Sequence, residues 1–534
     1  MRIFAYLVTC ILLLVSAEKL QAKPSLSDME EFYEAYLCEE KNILSEVDLT
    51  DSCSSVSNGG VTECGVVLSV PTIPPLAQAS PDLQHIPIVL VNNTGFDDDQ
   101  VYFTAYGRQV ILPPPDSGCP GVGPFAFLNF GPQAGPFTAT GTLNGATGSG
   151  ITTAYSYQFS QIPLTNGQRI LYVPFINSGI IFFSIGQLSL DSTVAGSIAT
   201  PVVTDSSDPA YNTVYGNMEL TFVPPSCGIP ALNQLTLDFT CVDYYGLSLY
   251  LNLFTLNPLP GLPQNRPSGI YQSRHYVLCT MQKTLATAFP AALSQWEGLV
   301  LKNLSKILRV ASPGYSMSHT GGTFDPNYFD NAPAYGFSWR NDVWNGSYYA
   351  TGQHDLIIQT LDGTTFTGNT SLGSFTFTGT SGPGMGEVIT IPWTNTAPST
   401  STAIFNVEAA FPGMSGGTPG HQTEITEYLS SSIAAGLIPG KVSTLTPLSF
   451  PQSTIDLYYT PNSNLNNPGP TTGPWYDLYS LGLQINQSIT GNAVYSYAYD
   501  DYLYKNASFN VAPSQAAIDN TTYITVFIGS YSDN

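Results

Sequence analysis

The chain has 534 residues and a formal net charge of −23, with charged side chains at only 10% of positions, against about a quarter in ordinary soluble proteins. Such an excess of acids excludes nucleic acid as a partner, because a phosphate backbone is bound by clustered Lys and Arg; a neutral polymer such as a polysaccharide meets no such repulsion. Plentiful Gly, Pro, Tyr, Phe, Ser, Thr and Asn favour strands and long polar loops over helices.

Met1-Arg2 followed by the apolar stretch Ile3 to Val15 has the basic start and short apolar middle of a secretory signal peptide. The run falls short of the roughly 20 apolar residues that span a bilayer, so the expected product is secreted, with no membrane attachment once the signal is removed. Cleavage fits after Val15-Ser16-Ala17 or after Leu20-Gln21-Ala22; the signal is assigned to residues 1–22. Ser27-Asp28-Met29-Glu30 is a capping box for a short helix to about Glu40. It opens an N-terminal extension, 23–82, that runs through Cys38, Cys53 and Cys64 to the proline cluster at Pro71 to Pro75.

Short strands follow, predicted at Ile86 to Val91, Gln100 to Gly107, Tyr155 to Phe159, Arg169 to Pro174, Ile180 to Ile185, Asn217 to Val223 and Gln234 to Asp243. Several alternate apolar and polar residues, as in a sandwich with one wet face. The texture changes after Phe254. Thr280 to Phe289 and Pro290 to Leu308 read as helices, the second placing Leu293, Trp296, Val300, Leu304 and Ile307 on one face. A third runs from about Gln422 to Ala435, with strands Asp355 to Gln359 and Phe375 to Thr378 between. The reading is a mainly β protein: a β-sandwich or barrel begun at 83–252, interrupted by a mixed α/β domain at 253–442 and completed by 443–534.

In so acid-poor a chain, carboxylates inside strand patterns stand out. Glu219 lies in Asn217-Met218-Glu219-Leu220-Thr221-Phe222, and Asp238 and Asp243 lie in Leu237-Asp238-Phe239-Thr240-Cys241-Val242-Asp243-Tyr244-Tyr245-Gly246. Neighbouring strands would bring these acids to one groove among Tyr244 and Tyr245. Two carboxyl groups, one protonated and one ionised, are what glycoside hydrolysis without a cofactor requires. Of the cysteines, Cys10 falls in the signal, leaving Cys38, Cys53, Cys64, Cys119, Cys227, Cys241 and Cys279 in no zinc-type spacing. In an exported protein disulfides are expected, first Cys227 with Cys241, then a pair among Cys38, Cys53 and Cys64. Sequons begin at Asn92, Asn303, Asn345, Asn369, Asn486, Asn506 and Asn520.

The run Ser207-Asp208-Pro209 through Phe222, with Asp238 to Leu247, resembles the acidic-cleft strands shared by thaumatin-like proteins and the family 64 glycoside hydrolases, which are β-1,3-glucanases. Ile86 to Gly95 is similar to the opening strand and loop, Asn177 to Ser184 to the central strand, and Tyr495 to Asp501 with Tyr523 to Phe527 to the final hairpin. The helical insertion sets the chain beside the glucanases rather than plain thaumatin-like proteins, and Arg309 to Gly314 and Gly322 to Asp330 are similar to parts of the glucanase insertion. The resemblance implies β-1,3-glucan as the substrate, bound in a wide groove between a thaumatin-like β domain and the α/β domain. It makes Glu219 the general acid, Asp243 the general base of an inverting reaction, Thr221 a sugar contact and Asp238 a residue that tunes the pair. Two features depart from the family pattern: the extension before Pro81, and the connection Pro224 to Pro230, which is longer than usual. The alternatives are a thaumatin-like protein that binds glucan or serves adhesion without turnover, and a structural surface protein.

Other signals carry less. Gly413-Met414-Ser415-Gly416-Gly417 fits the nucleophile elbow of α/β-hydrolases, but the only later His is His421, six residues on. Asp97-Asp98-Asp99 reads as a solvated loop rather than a calcium site. His85, His275, His319, His354 and His421 form no zinc-binding pair. Trp339, Trp344, Tyr348 and Tyr349 can stack on sugars but more often fill cores. No cofactor or metal is implied, and the oligomeric state is not legible.

Overall fold

The computed structural model describes residues 84–112, 121–132, 136–224, 235–255, 265–288, 290–304, 306–329, 334, 355–360, 362–371, 374–392, 401–406, 411, 413–434, 444–445, 477–484, 508–511 and 522–531. The expected signal peptide, the capping-box helix, Cys38, Cys53, Cys64, Cys119 and Cys227 lie outside these residues. So do Trp339, Trp344, Tyr348, Tyr349, the run Tyr495 to Asp501 and most of the Pro224 to Pro230 connection.

Two antiparallel-rich sheets carry the main core. One has six strands in the order Asn265–Gly269, Leu249–Phe254, Tyr523–Ile528, His85–Asn92, Gln168–Pro174 and Leu164–Thr165. Its two central strands come from opposite ends of the described chain and pair in parallel, Ile88 beside Ile524. Tyr523–Ile528 is buried at every residue, as the near-continuous apolar run Tyr-Ile-Thr-Val-Phe-Ile requires. The second sheet has eight strands, ordered Ser508–Val511, Leu235–Asp238, Val214–Phe222, Ile176–Ile185, Val101–Ile111, Gly121–Asn129 and Thr142–Gly145, with Ser156–Gln158 added against Val101–Ile111.

Side chains alternate across a strand, and the eight-stranded sheet turns Phe103, Phe183, Met218, Leu220, Phe222 and Leu237 inward. They join Ile88, Leu90, Leu251 and Val526 of the six-stranded sheet in one buried cluster. Each fully buried side chain of this kind contributes about 1.5–3 kcal/mol, so the strand bearing Glu219 is fixed from below by three anchors in five residues. The outer face of the same sheet is covered over part of its area by a second cluster that includes Tyr106, Phe127, Phe182, Tyr215, Tyr244 and Tyr315.

That cover is supplied by a three-stranded sheet, Tyr244–Tyr245, Lys306–Ala311 and Val300–Asn303, and by the helix Pro313–Ser318. The sheet corrects the sequence reading of Pro290 to Leu308 as one helix. A single turn, Leu293–Glu297, ends at Gly298, and the chain then makes a hairpin whose tip, Leu304, has φ 56° and is 93% exposed. The helical spacing of Val300, Leu304 and Ile307 was coincidental; Val and Ile serve the strands, and only Trp296 of the helical part is deeply buried. The preceding helix is Arg274–Leu285, earlier than the predicted Thr280 to Phe289, because Ser273 caps it by accepting the Tyr276 N–H at 3.1 Å.

A five-stranded sheet, Val388–Pro392, Ser374–Ser381, Thr365–Ser371, Asp355–Gln359 and Thr444–Leu445, carries the helix Pro419–Ala434, whose Tyr428 hydroxyl donates to the Gln359 carbonyl at 2.9 Å. The helix Leu478–Gln484 joins this region to the main core: the Asp477 N–H donates to the Ala434 carbonyl at 2.9 Å, and the Tyr479 hydroxyl to the Cys241 carbonyl at 2.5 Å. Among the described residues no helix is long and apolar enough to cross a membrane.

Candidate active site

Directly paired residues in a sheet face the same side. Glu219 is paired with Asp238 on one flank and Ile180 on the other, and Ile180 with Tyr106, which is paired with Phe127. These residues therefore form one row across the outer face, and the row marks a border. Tyr106 and Phe127 lie under the aromatic cover, whereas Glu219 is exposed and Thr221, two residues on, is half-buried. The strand Val214–Phe222 thus passes from beneath the cover into the open at Glu219.

A backbone irregularity sits beside it. The register of Ile176–Ile185 shifts against both neighbours, between Leu220 and Phe222 and between Tyr106 and Arg108, and Ser178 takes φ 49°, a left-handed conformation unusual for a residue with a Cβ. The Ser178 N–H, no longer available to a regular ladder, donates to the Thr221 hydroxyl oxygen at 3.1 Å. Gly179 allows the close approach: a Cβ there would stand 2.6 Å from the Leu220 carbonyl oxygen. Bulges of this kind re-aim side chains, and here the affected residues are the immediate neighbours of Glu219.

Asp243 arrives from a different direction. After Asp238 the chain leaves the sheet, with Phe239 and Cys241 inserted into the main core, and exposes Asp243 before Tyr244–Tyr245 enters the three-stranded sheet. The expected continuous strand Gln234 to Asp243 is therefore broken into Leu235–Asp238 and Tyr244–Tyr245, in two sheets. The Asp243 carbonyl accepts the Ser312 N–H at 2.8 Å. Tyr244 points to the outer cluster and donates its hydroxyl to the Asn217 side-chain oxygen at 2.5 Å; Tyr245 points to the main core, where its hydroxyl pairs with that of Ser248 at 2.6 Å.

Both acids are solvent-accessible, yet protein surrounds them closely. Partial dehydration raises the Glu219 carboxyl above its ordinary range, and the negative charge of Asp243 raises it further. Dehydration raises Asp243 as well, but the imidazole of His319 acts in the opposite sense. Glu219 in turn acts on Tyr106, whose hydroxyl is pushed up to about 12, chiefly by burial. The deeply buried cation nearby, Arg309, does not neutralise the pair. Its guanidinium lies 4.4 Å from the Tyr215 ring centroid and donates to the Tyr215 hydroxyl at 3.1 Å and to the carbonyls of Tyr211 and Thr213 at 2.7 and 2.6 Å. A proton held by one carboxyl beside a second, ionised one is the arrangement that acid–base hydrolysis uses.

The family model for β-1,3-glucanase, glycoside hydrolase family 64, matches residues 84–517. The chain belongs to this family. It is accordingly a glycoside hydrolase of the glucan endo-1,3-β-glucosidase type. Among solved structures, a laminaripentaose-producing β-1,3-glucanase in complex with laminaritetraose is 17% identical with a TM-score of 0.53, over 84% of this chain and 99% of that one. The β-1,3-glucanase domain from Clostridium beijerinckii is 16% identical with a TM-score of 0.53, over 86% and 100%. Both likenesses show the fold. No curated protein matches.

Within this family 64 chain, the sequence-predicted residues divide. Glu219, Thr221 and Asp238 share one face of one sheet, Asp238 being buried and Glu219 exposed, and Asp243 acts electrostatically on Glu219 from the adjoining turn. Tyr244 and Tyr245, expected at the sugar, are instead structural, because a strand between two cores sends alternate rings into each. Sequence reasoning missed Asn217, Ser178 and His319. Asn217 was legible as the outward neighbour of Glu219 by the period of two. Ser178 and His319 had no local signal, since one depends on a bulge and the other on a helix folded over the sheet.

The signals set aside have structural places. Ser415 bridges Thr390 through paired backbone hydrogen bonds at 2.9 and 3.1 Å. His421 lies between Glu387 and Asp362, with Nδ1 2.8 Å from Glu387 Oε2 and Nε2 3.1 Å from Asp362 Oδ2. Asp98 forms an ion pair with Arg169 at 2.6 Å.

Proposed function

We propose that this glucanase is exported and cleaves β-1,3-glucan with inversion, Glu219 acting as general acid and Asp243 as general base, in a groove over the open part of the eight-stranded sheet. The observation that carries this reading is the placement of two exposed acids close enough at the border of the aromatic cover for one to act on the other: the charge of Asp243 favours retention of a proton by Glu219. Protonated Glu219 donates to the departing glycosidic oxygen, while ionised Asp243 takes a proton from a water that attacks the opposite face of the sugar. An inverting pair leaves room for that water, at a separation of about 6.5–9.5 Å. A β-1,3-linked glucan as ligand is supported by the laminaritetraose bound to the solved relative. Thr221 and Asp238, on the face of Glu219, are the proposed sugar-binding and tuning residues. The two-sheet unit is read as the thaumatin-like part, 253–442 as the α/β insertion and 443–534 as its completion, with export directed by residues 1–22.

The test is release of reducing ends from linear β-1,3-glucan. Activity in the wild type, reduced about 10²–10⁴-fold by Glu219→Gln and by Asp243→Asn, supports the assignment. Binding of the glucan with no release between about pH 4 and 8 would contradict it and favour a binding protein, and full activity in either variant would remove that residue from the mechanism.

A further inference from the structure

The regular ladder of the eight-stranded sheet is interrupted beside Glu219. The strand Ile176–Ile185 shifts register against both of its neighbours at the same level, and on the Glu219 side the shift sets Asn177 and Ser178 together opposite the single residue Thr221. Two glycines let the strands close around this irregularity. A Cβ on Gly107 would stand 2.5 Å from Ile176 Cγ1, and one on Gly179 would stand 2.6 Å from the Leu220 carbonyl oxygen and 2.7 Å from Ile176 Cδ1. The Ile176 side chain, buried in the main core, thus fills the space that both missing Cβ atoms leave. The bulge is locked from below, and three polar residues set what it presents above.

Ile176 is paired with Phe222 and faces the core, so Asn177, the next residue along the strand, faces outward with Thr221. Ser178 has φ 49°, and its N–H donates to the Thr221 hydroxyl oxygen at 3.1 Å. A hydroxyl that accepts in this way keeps its single proton for another acceptor, and among the described residues Thr221 donates to none. The Ser178 hydroxyl donates to the Asn177 side-chain oxygen at 2.9 Å, which turns the Asn177 amide nitrogen away from Ser178. Side by side, then, stand an O–H and an NH2 with protons to donate, joined by a serine oxygen with lone pairs left to accept. Ser178 is exposed, Asn177 and Thr221 are half-buried, and Arg108, paired with Asn177 on its far flank, is exposed as well. Thr221 follows Glu219 by two residues on one strand and one face, a distance of about 7 Å, on the scale of one glucosyl unit.

We propose that the bulge is a sugar subsite beside the cleavage point: the Asn177 amide and the Thr221 hydroxyl donate to hydroxyl oxygens of a glucosyl unit adjoining the linkage at Glu219, and Ser178 is the positioning residue that holds both donors. Left-handed backbone at a residue with a Cβ costs stability and persists where the surroundings impose it, commonly at ligand sites. Glycine would relieve the strain at 178 but would release the Asn177 amide, so serine is the residue that serves both ends of the contact. The donors are neutral and suit a neutral polyhydroxyl chain, whereas the neighbouring carboxyl pair repels a uronic acid or sulfated polymer. The identity of the sugar rests on the reading of β-1,3-glucan as the ligand, and the experiment separates the two.

Laminaritetraose binding is measured by titration calorimetry on the full chain carrying Glu219→Gln, alone and combined with Asn177→Ala, Thr221→Val, Thr221→Ser or Ser178→Gly, each with its melting curve. Release of reducing ends from linear β-1,3-glucan by the wild type is measured alongside. Asn177→Ala and Thr221→Val are each expected to weaken binding about 3–10-fold, the worth of one neutral hydrogen bond, whereas Thr221→Ser keeps the donor and binds like the parent. Ser178→Gly keeps the backbone N–H and relieves the left-handed strain. It is expected to melt at or above the parent temperature and still bind more weakly, a split that a purely structural serine would not give. Unchanged affinity in both Asn177→Ala and Thr221→Val, or affinity lost only in step with the melting temperature, overturns the subsite, as does a parent that does not bind laminaritetraose. If the wild type cleaves the glucan while the variants bind unchanged, only the subsite fails; if the wild type releases no reducing ends while the variants weaken binding, the hydrolase reading fails and the subsite stands.

Discussion

Glu219 and Asp243 hold their protons more tightly in the folded chain than in the unfolded one, because dehydration raises both and Asp243 raises Glu219 further. The folded state then binds more protons across the carboxylate range, so stability falls as pH rises from the ordinary values of 3.8 and 4.5 through the raised ones. Glu219→Gln and Asp243→Asn remove that loss. Both variants are expected to melt at or above the wild-type temperature at neutral pH while losing activity, and a lower melting temperature would instead assign the acids a structural role. Tyr244 and Tyr245 illustrate a limit of reading residues singly. Their position beside Asp243 was legible, but not the fact that each ring is used up in a different core, because the alternation only has meaning once two cores exist on either side of the strand.

At the scale of elements, the bulge beside Glu219 and the clasp around His421 are two places where a small number of atoms fix the geometry. Gly179→Ala drives a Cβ toward the Leu220 carbonyl and is expected to cost about 1–3 kcal/mol. It should also lower kcat, since the displaced backbone carries Glu219; a variant with unchanged stability and rate would show that the close approach is relieved elsewhere. In the clasp, burial opposes the charge of Asp362 but hydrogen bonds from Thr360 and Thr364, then His421, hold it below the ordinary carboxylate range; His421 and then Thr418 lower Glu387; and burial of His421 is outweighed by Glu387 and Asp362, which raise it above the ordinary imidazole value. The contribution of the acids is present above their unfolded values of 3.8 and 4.5 and is lost as pH falls through the lowered ones. That of His421 is present below 6.5 and is lost as pH rises through the raised one. His421→Ala should therefore destabilise most between pH 4.5 and 6.5 and least well above neutrality, read by thermal melts across pH; a pH-independent loss would reduce the clasp to packing. Strands such as Asp355–Gln359 and His85–Asn92 were nearly legible in the sequence because alternation or a short apolar run marks them. The segment Pro290 to Leu308 was not, since Val, Leu and Ile satisfied a helical period by chance while Gly298 and the Leu304 turn divided it.

Across the whole molecule, the fold closes by setting its last described strand in the middle of a sheet. Tyr523–Ile528 lies between His85–Asn92 and Leu249–Phe254, so removing residues from 522 onward leaves two edges and an open core where six buried side chains stood. Such a truncation is expected to abolish soluble, folded protein, whereas a truncated chain with a native melting transition would contradict this topology. The mainly β class, the mixed texture after Phe254 and the return of a strand near the C-terminus were legible from composition and periodicity. The approach of Asp243 to Glu219 was not, because it depends on a turn leaving one sheet for another. The most direct measurement is the configuration of the first sugar released from linear β-1,3-glucan, followed by proton NMR before mutarotation. Water activated by Asp243 across from Glu219 predicts that the α-anomer forms first; initial accumulation of the β-anomer would show retention and contradict the assigned roles of the pair.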